Sequence, residues 1–180
     1  MPQTQRSVTA LYAVLPDNTA GDISPEDVRD IVETLRNGHG ELSTNVAAET
    51  SIAVGGTYVK AAGTTTLSPN AHNWTMPQDN RLTYAGTADR VVHLALSVSF
   101  TAAGNNKNIR MRIAKNGVTV ARSEQQRFVG TGADVGSTAL HHFDNVTVDD
   151  FFELWVTNMT DTVNLTVEQF NMFIMDMSLV

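Results

Sequence analysis

Over nine residues, 92–100, apolar and polar side chains alternate without a break. Val92, Leu94, Leu96, Val98 and Phe100 share one face, and His93, Ala95, Ser97 and Ser99 share the other. A period of two belongs to a strand and not to a helix, so this stretch demands a sheet with one face in a core. A loop, Gly104-Asn105-Asn106, follows. Ile109, Met111 and Ile113 then alternate with Arg110, Arg112 and Ala114, and Asn116-Gly117 has the chemistry of a two-residue hairpin turn. Antiparallel β structure is the expectation here.

The same reading extends along most of the chain. Strands are expected near 51–60, 81–85, 90–101, 108–115, 118–129 with breaks, 137–147, 151–158 and 163–179, separated by Gly, Asn and Asp. About eight short strands with one helix signal predict an antiparallel sandwich or jelly roll. No repeat, heptad run or collagen-like period is present, which sets aside a fibre shaft. At 180 residues the chain suits one domain with an appended element.

Charge narrows the partners. The chain has 12 Lys plus Arg against 19 Asp plus Glu, a net charge of -7. That sign opposes a phosphate-binding surface, so nucleic acid is not an expected partner. With no cysteine there is neither disulfide nor thiolate metal site, and the start, MPQTQRSV, lacks the features of a signal peptide. No apolar run approaches the ~20 residues of a membrane span. The expectation is a soluble chain made in a reducing cytoplasm.

The first 48 residues read differently from the rest. Residues 1–22 hold an apolar segment, Val8, Leu11, Tyr12, Val14 and Leu15, read as an arm, with a strand folded back on the chain's own core as the alternative. A helix is expected over about 24–37: Ser24 is a good N-cap, Pro25 suits the first turn and Asp27 completes a capping box. Val28, Ile31, Val32 and Leu35 form one apolar stripe. So short a helix is marginal alone, and its stripe needs burial on the domain, a neighbouring subunit or a partner. Residues 38–48, GHGELSTNVAA, read as a linker, dividing the chain into an attachment region, 1–48, and a strand domain, 49–180.

The last strand is apolar on both sides. Phe170, Met172 and Ile174 take one face, and Phe173, Met175, Met177 and Leu179 the other. An antiparallel strand usually has one wet face, so something must cover the second. Exposing four such side chains would forfeit roughly 1.5–3 kcal/mol each. An obligate oligomer is predicted, with coverage by the helix of the same chain as the alternative. Trp155, which alternates outward from Phe152, Leu154 and Val156, belongs with this surface.

Signs of catalysis are few. His141-His142 with Asp144 invites a metal reading, but adjacent strand residues point to opposite faces and do not chelate together. The segment DNTAGD, 17–22, has Val28 where an EF-hand needs its twelfth-position acid. No nucleophile elbow, phosphate loop or thiol nucleophile is present. No enzyme, metal or cofactor is expected.

Two groups of segments carry a family resemblance. NRLTYAGTADRVVHLALSVSFTAAGNN with IRMRIAKNG resembles the C-terminal jelly-roll domain of tailed-bacteriophage head-decoration, head-fibre and some tail-fibre proteins, itself similar to C1q and tumour-necrosis-factor trimers. VTVDDFFELWVTN resembles the turn and long strand of those domains, which often have Gly-Asp where this chain has Asp149-Asp150. LYAVLPDNTAGDISPEDVRDIVETL resembles the leading segment by which phage virion proteins attach a display domain. Together these cover most of the chain.

The resemblance implies a mainly β, C1q/TNF-like jelly roll with an N-terminal arm and one short α-helix, assembled as a homotrimer around a sheet-lined axis. Strands 108–115, 151–158 and 170–179 would supply that sheet. Arg110, Arg112, Glu153, Trp155, Phe173, Met175 and Met177 would form the interface, with an Arg110 or Arg112 pair to Glu153 across subunits. It further implies a capsid decoration, or cement, protein on the exterior of a phage head, with Leu11, Tyr12, Val14 and Leu15 touching the major capsid protein. The alternative is a receptor-binding tip or short fibre whose loops near Asn105 and residues 130–136 recognise host-surface glycans or proteins.

Overall fold

The computed structural model describes Ala10 and residues 24–131 and 134–179. Two antiparallel sheets face each other. The first runs in the order β11 (Gly136–Val146), β7 (Arg90–Ala102), β13 (Leu165–Leu179), β1 (His39–Ala47), β4 (Gly63–Leu67), with β2 (Glu49–Thr50) also on β13. The second runs β10 (Gln125–Val129), β8 (Lys107–Lys115), β12 (Phe151–Asn158), β6 (Leu82–Tyr84), β5 (Trp74–Thr75), with β3 (Val59–Lys60) on β12 and β9 (Val118–Thr119) on β8. Most neighbours within a sheet are distant in sequence, the mark of a jelly roll rather than a meander.

The core sits between the sheets where the period-two pattern puts it. Val92, Leu94, Leu96, Val98 and Phe100 of β7 are buried, opposite Ile109, Met111 and Ile113 of β8 and Phe152, Leu154 and Val156 of β12. Asn116 and Gly117 both take positive φ, 51° and 76°, and link the paired strands β8 and β9 as a two-residue turn. Asp149 also has φ 69°, a conformation that glycine adopts more readily than other residues.

Three expectations need correction. Residues 38–48 are no linker, because His39–Ala47 is β1, paired with β13 on one side and β4 on the other. Its small residues serve close packing: a Cβ on Gly40 would lie 2.6 Å from the Trp74 Cβ, while Leu42 is wholly buried. The strand domain therefore begins near residue 39. Residues 51–58, expected as a strand, lie outside the ladders. Ile52 is buried there, but its N–H donates to Asn164 Oδ1 at 2.9 Å instead of to a neighbouring strand.

The third correction matters most for function. The sheet proposed to line an axis, 108–115 with 151–158 and 170–179, does not exist as one sheet. β8 and β12 pair with each other in the second sheet, whereas β13 lies between β7 and β1 in the first. A strand apolar on both faces suits the middle of either sheet, so its alternation alone carried no information about which.

Helix α1 (Pro25–Leu35) precedes β1. Ser24 Oγ accepts from the Asp27 N–H, and the Asp27 carboxylate accepts from the Ser24 N–H at 2.9 Å, the expected capping box. Among the described residues, no helix is long and apolar enough to cross a membrane.

Candidate functional site

The two sheets turn different outer faces to solvent. On the second sheet, cross-strand pairing sets Trp155 beside Arg112 and Thr157 beside Arg110, with Lys60 on the other side of Trp155. Glu153 lies on the same face yet is only 1% exposed. Its carboxylate accepts from Arg81 Nε at 2.9 Å and Nη2 at 2.8 Å, from Trp155 Nε1 at 2.9 Å, and pairs with Lys60 Nζ at 2.9 Å.

Arg110 and Arg112 have a different partner. Arg110 donates to Glu124 Oε1 at 3.2 Å, and Arg112 to Glu124 Oε2 at 2.9 and 2.6 Å. Tyr58 donates to the same carboxylate at 2.6 Å, with its ring under the Arg112 guanidinium, 4.5 Å away. Within the chain, then, both arginines pair with Glu124, and Glu153 is served by Lys60, Arg81 and Trp155. Sequence showed the charges but not that Lys60, Arg81, Tyr58 and Glu124 would converge on them from distant segments.

Electrostatics match a closed network. Burial pushes the Glu153 carboxyl up, but hydrogen bonds from Trp155, Lys60 and Arg81 outweigh it and hold the group below its ordinary range. The Tyr58 hydrogen bond, aided by the Arg112 and Arg110 charges, likewise lowers Glu124 against a smaller effect of burial. Burial and the bond to Glu124 push the Tyr58 hydroxyl up.

The outer face of the first sheet has no such network. One row across it reads Phe143, His93, Met175, His39 along β11, β7, β13 and β1, and the next reads His141, Ala95, Phe173, Glu41. Further along come Ala139, Ser97, Asn171 and Ser43, then Ser137, Ser99 and Gln169. The face thus has an apolar end and a polar, small-residue end. A shallow trough of about 300 Å³ lies at the latter, lined in part by Ser97, Ser99, Ser137 and Gln169.

At the apolar end the His93 and Phe143 rings stack at 4.6 Å, and His93 Nε2 lies 3.3 Å from His141 Nδ1. Phe143 and Met177 are exposed, and Phe173 and Met175 half-buried. His142 points the other way, buried, with Nε2 3.2 Å from Asp144 Oδ2. Of the seven residues expected at an interface, Phe173 and Met175 therefore share this face, and exposed Met177 follows them at a break in the β13 register. Arg110, Arg112, Glu153 and Trp155 lie on the opposite side of the sandwich.

Past this apolar end lies a buried polar cluster. Asp176 accepts from the Gly38 N–H at 3.0 Å and from Trp74 Nε1 at 3.4 Å, and Arg90 Nε approaches it at 3.6 Å, too far for a hydrogen bond. The Arg90 guanidinium donates instead to the Thr34 carbonyl in the last turn of α1. Burial pushes the Asp176 carboxyl above its usual range despite these partners. Glu33 of the helix pairs with His72 at 3.1 Å.

Helix α1 is therefore held by its polar side. Asp30 and Thr34 are buried, while Val28, Val32 and Leu35 are 50%, 63% and 64% exposed. Among the described residues the domain half-buries Ile31 and leaves the rest of the stripe open, and the stripe does not cover the outer face of β13. Leu11, Tyr12, Val14 and Leu15, expected to contact a capsid, lie outside the described residues.

No protein-family model matches the chain, and no curated protein matches it. Solved structures do. Murine APRIL superposes with a TM-score of 0.52 at 11% identity, over 76% of this chain and 98% of that one. The vertex protein P5 of PRD1 gives 0.47 at 11% identity, over 78% and 97%, and Eiger TNF from S. frugiperda gives 0.46 at 9%, over 79% and 93%. At such identities the likeness is one of fold. The chain has a TNF/C1q-like antiparallel jelly roll with one short described helix.

Proposed function

We propose that the chain is a structural protein of a phage virion, self-associating as a homotrimer through the outer face of the first sheet and decorating the head exterior. The observation that carries self-association is the apolar end of that face, where Phe143, His93, Met175 and Phe173 lie side by side with Met177 next to them. An antiparallel sheet in a single-chain sandwich keeps one face wet, and this one is dressed for contact. A ring of like chains covers it without leaving the contact open, as closed symmetry requires.

Placement on a phage head draws on the resemblance of the two strand segments and of the leading segment to virion proteins. Net charge supports it: -7 per chain suits the outside of a particle better than a position against packaged DNA. Leu11, Tyr12, Val14 and Leu15 are the proposed contacts with the major capsid protein.

Light scattering tests the assembly, since a monomeric mass would end the trimer reading. Deleting residues 1–22 should leave a folded trimer that no longer binds heads, and unchanged binding would move the contact elsewhere. Micrographs with the protein labelled should show many copies on the head. A few copies at the tail would favour a receptor-binding tip.

A further inference from the structure

We propose that the three α1 helices of the trimer pack on one another, each burying Val28, Ile31, Val32 and Leu35 against the helix of the next copy. This rests on the self-association proposed above. The helix is presented ready-formed, with both ends fixed. Its first turn is closed by the Ser24–Asp27 box, and its last turn is held through Thr34 by Arg90. The following Gly38 exchanges backbone contacts with Asp176, donating to the carboxylate at 3.0 Å and accepting from the Asp176 N–H at 2.8 Å. Position 38 admits no side chain, because a Cβ there would lie 2.5 Å from Asp176 Oδ2. A helix of 11 residues does not hold itself in water, so the domain fixes it, and fixes it with the stripe pointing away.

Three observations select a second copy of this chain as the occupant. The first is continuity. The anchors Arg90 and Asp176 belong to β7 and β13, the strands whose outward residues His93 and Met175 form the apolar end of the sheet face, with exposed Met177 next to Asp176. Stripe and face thus occupy the same end of the molecule. The second is charge. At about 100° per residue, Arg29 flanks one side of the stripe, and Asp27, whose carboxylate also closes the Ser24 cap, flanks the other. In a ring, one flank of each helix meets the opposite flank of the next, so unlike charges face each other. The third is size. Four side chains on an 11-residue helix are far short of the roughly 800 Å² per partner that a stand-alone complex buries, but they suffice as an extension of the sheet contact.

This chain has no cysteine, so Val32→Cys gives it a single thiol. Mild oxidation should convert most of the Val32→Cys protein to covalent dimers. Val118→Cys, at a somewhat more exposed position on β9, should stay monomeric on a denaturing gel. Val32→Glu should leave the circular dichroism of the strands unchanged and raise the concentration at which the trimer dissociates at least tenfold. A native trimer that neither cross-links at position 32 nor weakens with Val32→Glu would overturn helix packing while leaving the sheet-mediated trimer standing. A monomeric native protein would overturn both. An introduced thiol at position 32 that alkylates freely in the trimer and is protected only on heads would assign the stripe to the shell, and would also overturn the proposal.

Discussion

The outer faces of the two sheets are built from similar strands and reach opposite ends. On the second sheet, Arg110, Arg112, Lys60 and Arg81 all find carboxylates inside the chain, and Trp155 uses its N–H on Glu153. On the first, Phe143, Met175 and Phe173 lie in rows with three histidines, Ala95 and Glu41, and Met177 is exposed next to them. Polar groups make their own partners locally, because a buried charge without one costs several kcal/mol. Apolar side chains on an outer face have no such local solution, and only another surface can cover them. A charged face is thus a poor guide to assembly, and an apolar one a good guide.

The largest effect that would break this contrast comes from a charge placed on the apolar side. Met175→Asp should abolish the trimer, because closing the interface would bury an unpaired carboxylate at a cost on the order of 3–5 kcal/mol per subunit. Light scattering would read the loss of mass, and strand circular dichroism should persist. A trimer that survives the substitution would show that the first sheet is not the interface.

On the opposite face the same kind of damage should destabilise the fold and leave assembly alone. Glu153→Gln removes the charge that Lys60 and Arg81 share, and unfolding in denaturant should show a loss of about 3 kcal/mol, the low end for a broken buried pair because both cations keep some solvent. Trimer mass in buffer should not change. If mass fell while stability held, the roles of the faces would be reversed.

Acid should separate two carboxylates more gently. Glu153 is held below the ordinary glutamate value near 4.3, so it adds stability that is complete above that pH and lost as pH falls through its lower folded value. Asp176 is pushed the other way by burial, so its ionised form opposes folding above its raised value, and the opposition fades as pH falls through it. Denaturant midpoints between pH 7 and 3 should therefore fall less steeply for Glu153→Gln than for the native protein, and more steeply for Asp176→Asn. Parallel curves for all three would remove the assigned signs.

How much of this the sequence carried depends on how local each signal is. The alternation in 92–100, the Asn116-Gly117 turn and the Ser24–Asp27 cap are set by neighbours a few residues apart, and each stands where the pattern puts it. β1 was hidden because its Gly, Ser and Thr look like a linker unless Trp74 and β13 are known to lie against them. Sheet membership of β13 was hidden for a deeper reason, since pairing over long separations leaves no mark on either strand alone. The helix shows the limit from the other side. Its stripe was plain in the sequence, but the choice of the polar side for docking comes from Arg90 and Asp176, far along the chain.

A matched pair of phenylalanines gives the smallest and cleanest comparison. Phe143 on the first sheet is 57% exposed and Phe128, on the edge strand β10 of the second, is 60% exposed. Exposure within one chain therefore makes no distinction between them. Phe143 stacks on His93 in the row that continues to Met175, whereas Phe128 lies beside Asn108 at the margin of the charged face. Phe143→Thr should weaken the trimer by about 1–2 kcal/mol, near the value of burying one large side chain, and the dissociation constant should rise about tenfold. Phe128→Thr should stay within about 0.5 kcal/mol in both stability and assembly, as surface changes away from special features do. Sedimentation at several concentrations resolves the difference. Equal effects would mean that the apolar row is as much a bystander as the edge strand, and the distinction between the two faces would fall with it.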